Sequence, residues 1–319
     1  MIKRDGEYWR RHALCGEGKG ESSDEQHPAT QFRKHSKVLR WLLLLSATET
    51  LLRYKASTRN QQSSIMASNF LRGTALLIIW GAIDSTSTNE DELNDWWTND
   101  HLPERLEIPG FLHSRRFYSA DDTNNSSKYL VWYEVSSLET LTSAPYLAAL
   151  NHPTPRTAKY MPLLATLNRC ACRVLHSVAR RDFQRCHGSG VGATMAHIVF
   201  APPSSEDSRD ALRDYIISNL SPVALTHSTA LAFHLIEHDA AATFSGSTSK
   251  SYRAVRFQEH PQSSEIRARW MILVEFSEPR SAPFAKHDQL VRSAVDEIGT
   301  RGAKDVVVEV YELICAMSE

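Results

Sequence analysis

The sequence predicts an α+β protein: one β-α-β-β-α-β unit followed by a second, the two packed sheet against sheet as a barrel within one chain. Three observations predict it. Strand-like and helix-like segments recur in the same order on either side of a polar connector, Arg180 to Gly192. A local motif recurs with them: Glu134-Val135-Ser136 then Ser143-Ala144-Pro145-Tyr146 is echoed by Glu275-Phe276-Ser277 then Ser281-Ala282-Pro283-Phe284. Internal repetition of this kind outranks the propensity of any single segment. Finally, Ala75 to Ile83 is apolar throughout, as a strand covered on both faces must be.

The elements follow in order. Residues 1–68 are rich in Lys, Arg, Ser, Gln, Glu and His and are expected to be a disordered or weakly helical extension, with Val38 to Tyr54 as its one amphipathic helix. Met66 is a candidate working start. The first unit spans 69–180. Its first strand is Ala75–Ile83. A helix follows, with Asn89 as N-cap, Glu92 three residues on, and acidic residues from Glu90 to Asp95 at the positive end of the helix dipole. Pro103 disfavours helix at Leu102, which predicts a stop there and puts His101 in the last turn. Pro109-Gly110 supplies a turn. Phe111–Ser119 and Tyr129–Val135 are strands, separated by a polar loop, Asp121 to Ser127. Ser136 with Glu139 reads as a capping box for a helix through Leu150, in which Pro145 demands a kink or a restart. Cys170–Ala179 closes the unit as a strand.

After a linker at 181–193, the second unit, 194–319, repeats the plan: strand Thr194–Phe200, helix Ser205–Asn219, strands Thr229–His238 and Trp270–Phe276, helix Pro283–Gly299 and strand Asp305–Leu313. The segment Asp239–Arg267 reads as an insertion, a long hairpin or mobile loop. The β-α-β-β-α-β order is the ferredoxin-like signature. Each sheet has one face under its own helices, and the sister sheet is at hand for the other.

Composition bounds the function. At 319 residues, with 42% apolar and 23% charged residues and a net charge of −1, the chain is an ordinary globular sequence with no bulk attraction for nucleic acid or anionic membrane. The five cysteines are odd in number and match no disulfide scaffold, which points to a reducing, cytoplasmic setting. Val38–Leu52 is too short and too charged to span a bilayer. No dinucleotide fingerprint, P-loop, nucleophile elbow or zinc helix motif occurs; Gly188-Ser-Gly-Val-Gly precedes a strand, where it cannot present phosphate to a helix. His234 and His238 share a strand face without an evident third metal ligand. No cofactor is expected.

Leu93, Trp97 and His101 fall at spacings of four, on one helix face. His101 is the candidate catalytic residue. A helix end and nearby Asp100 and Glu104 favour its cationic form, and imidazole moves protons near neutrality. It would act as general acid/base or as a donor to a ligand oxygen; the plainer alternative is a helix-end His binding the turn backbone. Trp97, which shares the stripe with His101, is the candidate pocket wall, since Trp96 and Trp97, 100° apart, cannot both face inward; the plainer alternative is core packing against the sheet. Arg115 and Arg116 alternate across their strand, so one of them points into the barrel or its mouth and could hold a carboxylate or enolate oxygen. Tyr133, sharing a face with Tyr129, could reach a ligand. Aligning the helices by order sets Tyr215 and Asn219 opposite Trp97 and His101, so any site is expected in the first unit alone.

The run Trp97, then His101-Leu102-Pro103, then Ile108-Pro109-Gly110-Phe111 and an Arg-Arg-Phe strand resembles the EthD-like branch of the dimeric α+β barrel superfamily. The resemblance implies ferredoxin-like units paired into a barrel, here an intramolecular pseudo-dimer. It also implies a small, apolar, aromatic or polyketide-like ligand. Proton transfer, cyclisation, decarboxylation or oxygenation is the implied chemistry. The alternative is a non-catalytic binding or accessory protein of an oxidative degradation system.

Overall fold

The computed structural model describes residues 66–68, 70–83, 89–119, 127–164, 166–184, 190–253, 255–257, 268–279 and 285–319, all within the unit Thr58–Glu319. The expected Val38–Tyr54 helix, the character of residues 1–65, the loop at 121–126 and the Ser281–Phe284 half of the repeated motif lie outside them.

The strands are β1 Met66–Ser68, β2 Ala75–Ile83, β3 Phe111–Ser119, β4 Ser127–Val135, β5 Thr166–Arg180, β6 Thr194–Ala201, β7 Ala230–His238, β8 Arg256–Phe257, β9 Trp270–Phe276 and β10 Lys304–Ser318. They pair in the order β5-β2-β4-β3-β10-β6-β9-β7, and β7 returns to β5, closing an eight-stranded antiparallel barrel. In each half the four barrel strands lie fourth-first-third-second. β10 joins β3 on one side, with Phe117 opposite Leu313, and β5 joins β7 on the other, with Ser177 opposite His234. β1, which the sequence places in the extension, pairs antiparallel with the end of β5, and β8 pairs with its start in parallel.

The halves repeat down to single hydrogen bonds. Ser136 N–H donates to Gly110 O at 2.8 Å as Ser277 N–H does to Thr229 O at 2.8 Å; Val174 N–H donates to Thr74 O at 2.9 Å as Leu313 N–H does to Ala193 O at 2.9 Å. Alternation puts one face of every barrel strand inward. Leu76, Ile78, Trp80, Phe117, Trp132, Met195, Met271, Leu273 and Tyr311 fill the interior. The outward faces carry separate cores under helices, one for each half.

The first helix departs from expectation. It does not stop before Pro103. α1 Glu90–Trp96, capped by Asn89, runs through a π turn at Trp97–His101 into α2 Leu102–Leu106. Leu102 N–H bonds to Trp97 O, five residues back. That wider turn makes room for the Pro103 ring, which would otherwise press on the carbonyl of residue 99, and places proline at the start of α2, where its missing N–H costs little. The second half uses the same device: α6 Glu206–Tyr215, a π turn at Ile216–Leu220, and α7 Ser221–Leu225 with Pro222 in second position. The helices therefore align one residue away from the sequence expectation: Ile216 and Leu220, not Tyr215 and Asn219, stand opposite Trp97 and His101.

Two further corrections follow. Ser136 caps no helix; a 3₁₀ turn at Leu138–Thr142 precedes α3 Ala144–Asn151, which starts afresh with Ser143 as N-cap and Pro145 in its first turn. α4 Pro155–Tyr160 then packs beside α1. The connector contains a short helix, α5 Arg181–Gln184, and the second half ends with α9 Ala285–Gly299 before β10. In the described part of the expected insertion, the chain after β7 forms α8 Ala240–Ser247, capped by Asp239, and a 3₁₀ turn at Lys250–Tyr252; residues 254 and 258–267 lie outside the described residues. No described helix is long and apolar enough to cross a membrane.

Candidate active site

The five sequence candidates fall on two faces of the sheet. His113, Arg115 and Phe117 point into the barrel, while Arg116, Tyr129 and Tyr133 face the helices, where Trp97 and His101 also lie. Arg115 is thus separated from the other four by the sheet itself. Its guanidinium donates to Glu275 Oε1 at 2.7 Å and Gly190 O at 3.0 Å and lies 4.6 Å from the Trp132 ring centre. Glu275 also takes bonds from Gly192 N–H at 2.8 Å and contacts His234 Nε2 at 3.1 Å; burial opposes its charge, but Arg115 and His234 outweigh that and hold its pKa at about 2. The other ring nitrogen of His234 meets Ser177 Oγ at 3.0 Å. In the first half Glu134 plays the same part, taking Gly73 N–H at 2.6 Å and facing His113 at 2.9 Å.

On the helix side, both tryptophans are buried, contrary to expectation, because the helix is covered on two flanks. Trp97 lies against Tyr129, 5.8 Å between ring centres. Trp96 stacks on Tyr160 at 5.5 Å and donates to Thr157 Oγ1 at 3.2 Å. Arg116 bonds Asn94 through its side chain (2.9 Å) and backbone (3.4 Å), and sits 5.3 Å from Trp97. It braces the helix on the sheet.

His101 lies in the seam between α1–α2 and α4, 5% exposed, with its ring 4.9 Å from Trp96. Its Nδ1 finds no hydrogen-bond partner among the described residues and stands 3.9 Å from Glu104 Oε2. Glu104 is itself held by Thr154 Oγ1 at 2.8 Å and Thr157 Oγ1 at 3.1 Å. Above it opens a surface cleft of about 400 Å³ lined by Asp100, Glu104, Thr154 and Arg156 among others. The charge state is the reverse of the sequence expectation. Burial, reinforced by the Arg105 charge, holds His101 well below its usual range, so it is neutral near pH 7. The helix does not end at His101, so no dipole terminus is there to offset the burial.

Inward of His101 the structure gathers groups that periodicity could not single out. Arg105, four residues on, is 5% exposed. Its charge acts on His101, Tyr133 and Tyr252. The Tyr133 hydroxyl is buried, and burial pushes its pKa up, opposed by the Arg105 charge and by the neighbouring Trp97 side chain. Arg169, also 5% exposed, donates to Thr243 O at 2.8 Å and to Tyr146 OH at 3.1 Å, and lies 5.4 Å from the Tyr252 ring. Among the described residues neither Arg105 nor Arg169 has a carboxylate partner. A buried guanidinium is ordinarily paired. Two without an ion pair, near a buried phenol and a neutral imidazole, form an arrangement suited to oxygen charge on a ligand.

No protein-family model matches the chain, and no curated protein does. Among solved structures, an anthrone oxidase-like protein overlays 79% of this chain and 96% of its own at 13% identity and a TM-score of 0.49. A protein described as a candidate monooxygenase from Fusobacterium nucleatum overlays 78% and 96% at 7% identity and a TM-score of 0.42. Another so described, from Lactobacillus acidophilus, overlays 77% and 96% at 8% identity and a TM-score of 0.41. Overlays this loose carry neither fold nor function; the fold rests on the strand pairing above.

Proposed function

We propose that the helix–sheet layer of the first half is a cofactor-independent active site for a small, largely apolar, aromatic or polyketide-like molecule. The observation that carries this reading is the buried cluster of His101, Arg105 and Tyr133, in which a neutral imidazole and a buried phenol share space with a guanidinium that has no carboxylate partner among the described residues. His101, neutral, takes a proton from a carbon next to a carbonyl. The electron pair moves onto the carbonyl oxygen, where the Arg105 charge and a hydrogen bond donated by the neutral Tyr133 hydroxyl meet it. Trp97 and Arg116 form the wall and its brace. Arg115, on the barrel side, ties the halves together. Cyclisation or oxygenation would begin from this enolate, whereas decarboxylation would form the same enolate by losing carbon dioxide and would then take a proton.

Two identical strand orders and two π-turn helices support reading the chain as tandem ferredoxin-like units, 69–180 and 194–319, in an EthD-like, cytoplasmic, monomeric pseudo-dimer. A second reading, a non-catalytic binding protein, is favoured by one observation: side chains fill the barrel interior. The two part in heavy water. Ligands found by thermal stabilisation should exchange their α-protons for deuterium, and His101→Gln should slow that exchange by about 100-fold or more while leaving the melting temperature nearly unchanged. Binding without exchange selects the second reading. A collapse of stability with exchange intact makes His101 structural.

A further inference from the structure

The segment after β7 belongs to the second half by sequence but not by packing. Ala242, Tyr252 and Val255 lie in the core of the first half. Thr243 Oγ1 accepts from Ala171 N–H at 2.9 Å, Ser251 Oγ donates to Leu150 O at 2.7 Å, and Lys250 N–H donates to Asn151 Oδ1 at 3.2 Å. The segment is a strap from one half fastened across the other.

What it fastens is Arg169. The guanidinium is held on three sides, by Thr243 O, Tyr146 OH and the Tyr252 ring. Gly246 makes the fit possible: a Cβ there would stand 2.2 Å from Arg169 Nη2. Every one of these partners is neutral. Arg169 Nε, buried, has no partner among the described residues. Fixing a cation so closely while supplying no anion leaves its charge for a ligand, with the unpartnered Nε as the donor for a carboxylate oxygen.

We propose that Arg169, positioned by the strap, binds the carboxylate of the ligand, so that the site takes aromatic carboxylic acids rather than neutral aromatics. The assignment rests on the reading of the His101 cluster as a ligand site. The strap then acts as the specificity wall, and Tyr252 is its contact face. Calorimetric titration of the full chain with 2-naphthoate and with neutral 2-naphthol tests it. The naphthoate should bind about ten-fold more tightly or better, as a charge-assisted pair requires. Arg169→Gln should erase that preference and leave the naphthol affinity in place. Gly246→Ala, which changes no ligand-facing group, should do the same by displacing the guanidinium. Preference surviving in both variants overturns the assignment. If the wild type binds both probes equally, and His101→Ala weakens both, the site stands and only the role of Arg169 falls. If neither probe binds, the site falls with it.

Discussion

Beneath the first helix of each half lies the same sheet face in the same register, and the two faces are chemically opposite. Where the first half has His101, Arg105 and Tyr133, the second has Leu220, Ala224 and Val274, by the alignment of the π turns and the strand ladders; opposite the buried Arg169 stands Val308, which is exposed. Leu220, Ala224 and Val274 belong to an unbroken apolar core. The fold therefore does not require polar groups at these positions. Each buried polar group without a partner costs about 1–3 kcal/mol. The first half carries several where the second avoids them, which is what a site looks like when set against its own scaffold.

Three changes would break or sharpen that contrast. The largest concerns the barrel interior, where the halves are alike in plan but not in charge. Glu275→Gln leaves Arg115 buried without its carboxylate and should destabilise the protein by about 3–5 kcal/mol. Glu134→Gln, whose carboxylate bonds His113 and Gly73 and meets Arg115 only as a nearby charge, should cost about half as much or less. Urea unfolding of both variants decides it, and equal losses would mean that the ion pair does not lock the halves.

Next comes His197, which stands in β6 where β2 has Ile78. Burial depresses its pKa to about 4, partly opposed by Glu309 and aided by Arg269. The unfolded chain binds the proton near the usual 6.5, so the unfolded state gains protons first as pH falls. Stability from this group is complete above pH 6.5 and drains away between 6.5 and 4, by about 2 kcal/mol at pH 4.5. His197→Ile, copying the first half, should remove that portion of the acid sensitivity. Melting curves of both proteins from pH 7 to 4.5 that fall in parallel would contradict it.

The smallest effect is Tyr133→Phe, which moves the first half toward the second. Losing a hydroxyl whose polar neighbour is the Trp97 side chain should change stability by less than about 1 kcal/mol, while weakening ligand binding. A clear destabilisation would show that the hydroxyl is satisfied in solution.

The strands and their double order were legible because covered strands are apolar and the same order recurs. The alternation of Arg115 and Arg116 told that they part company, though not which turns inward. The helix was misread at Pro103, because spacing rules assume a uniform turn and a π turn changes it without changing composition. Arg105 could have been flagged by its position four residues after His101. Arg169 and Tyr252 could not: their importance comes from the strap, which brings residues 169 and 252 together across the halves.

Closure of the ring has a consequence for the separate halves. Cut apart, the first would leave β3 and β5, and the second β7 and β10, with rows of backbone amides and carbonyls open to any passing strand. Sequences as apolar as Ala75–Ile83 would sit beside those exposed rims. Each half is thus the other's guard against aggregation, a service that keeps the second in the chain whether or not it touches a substrate.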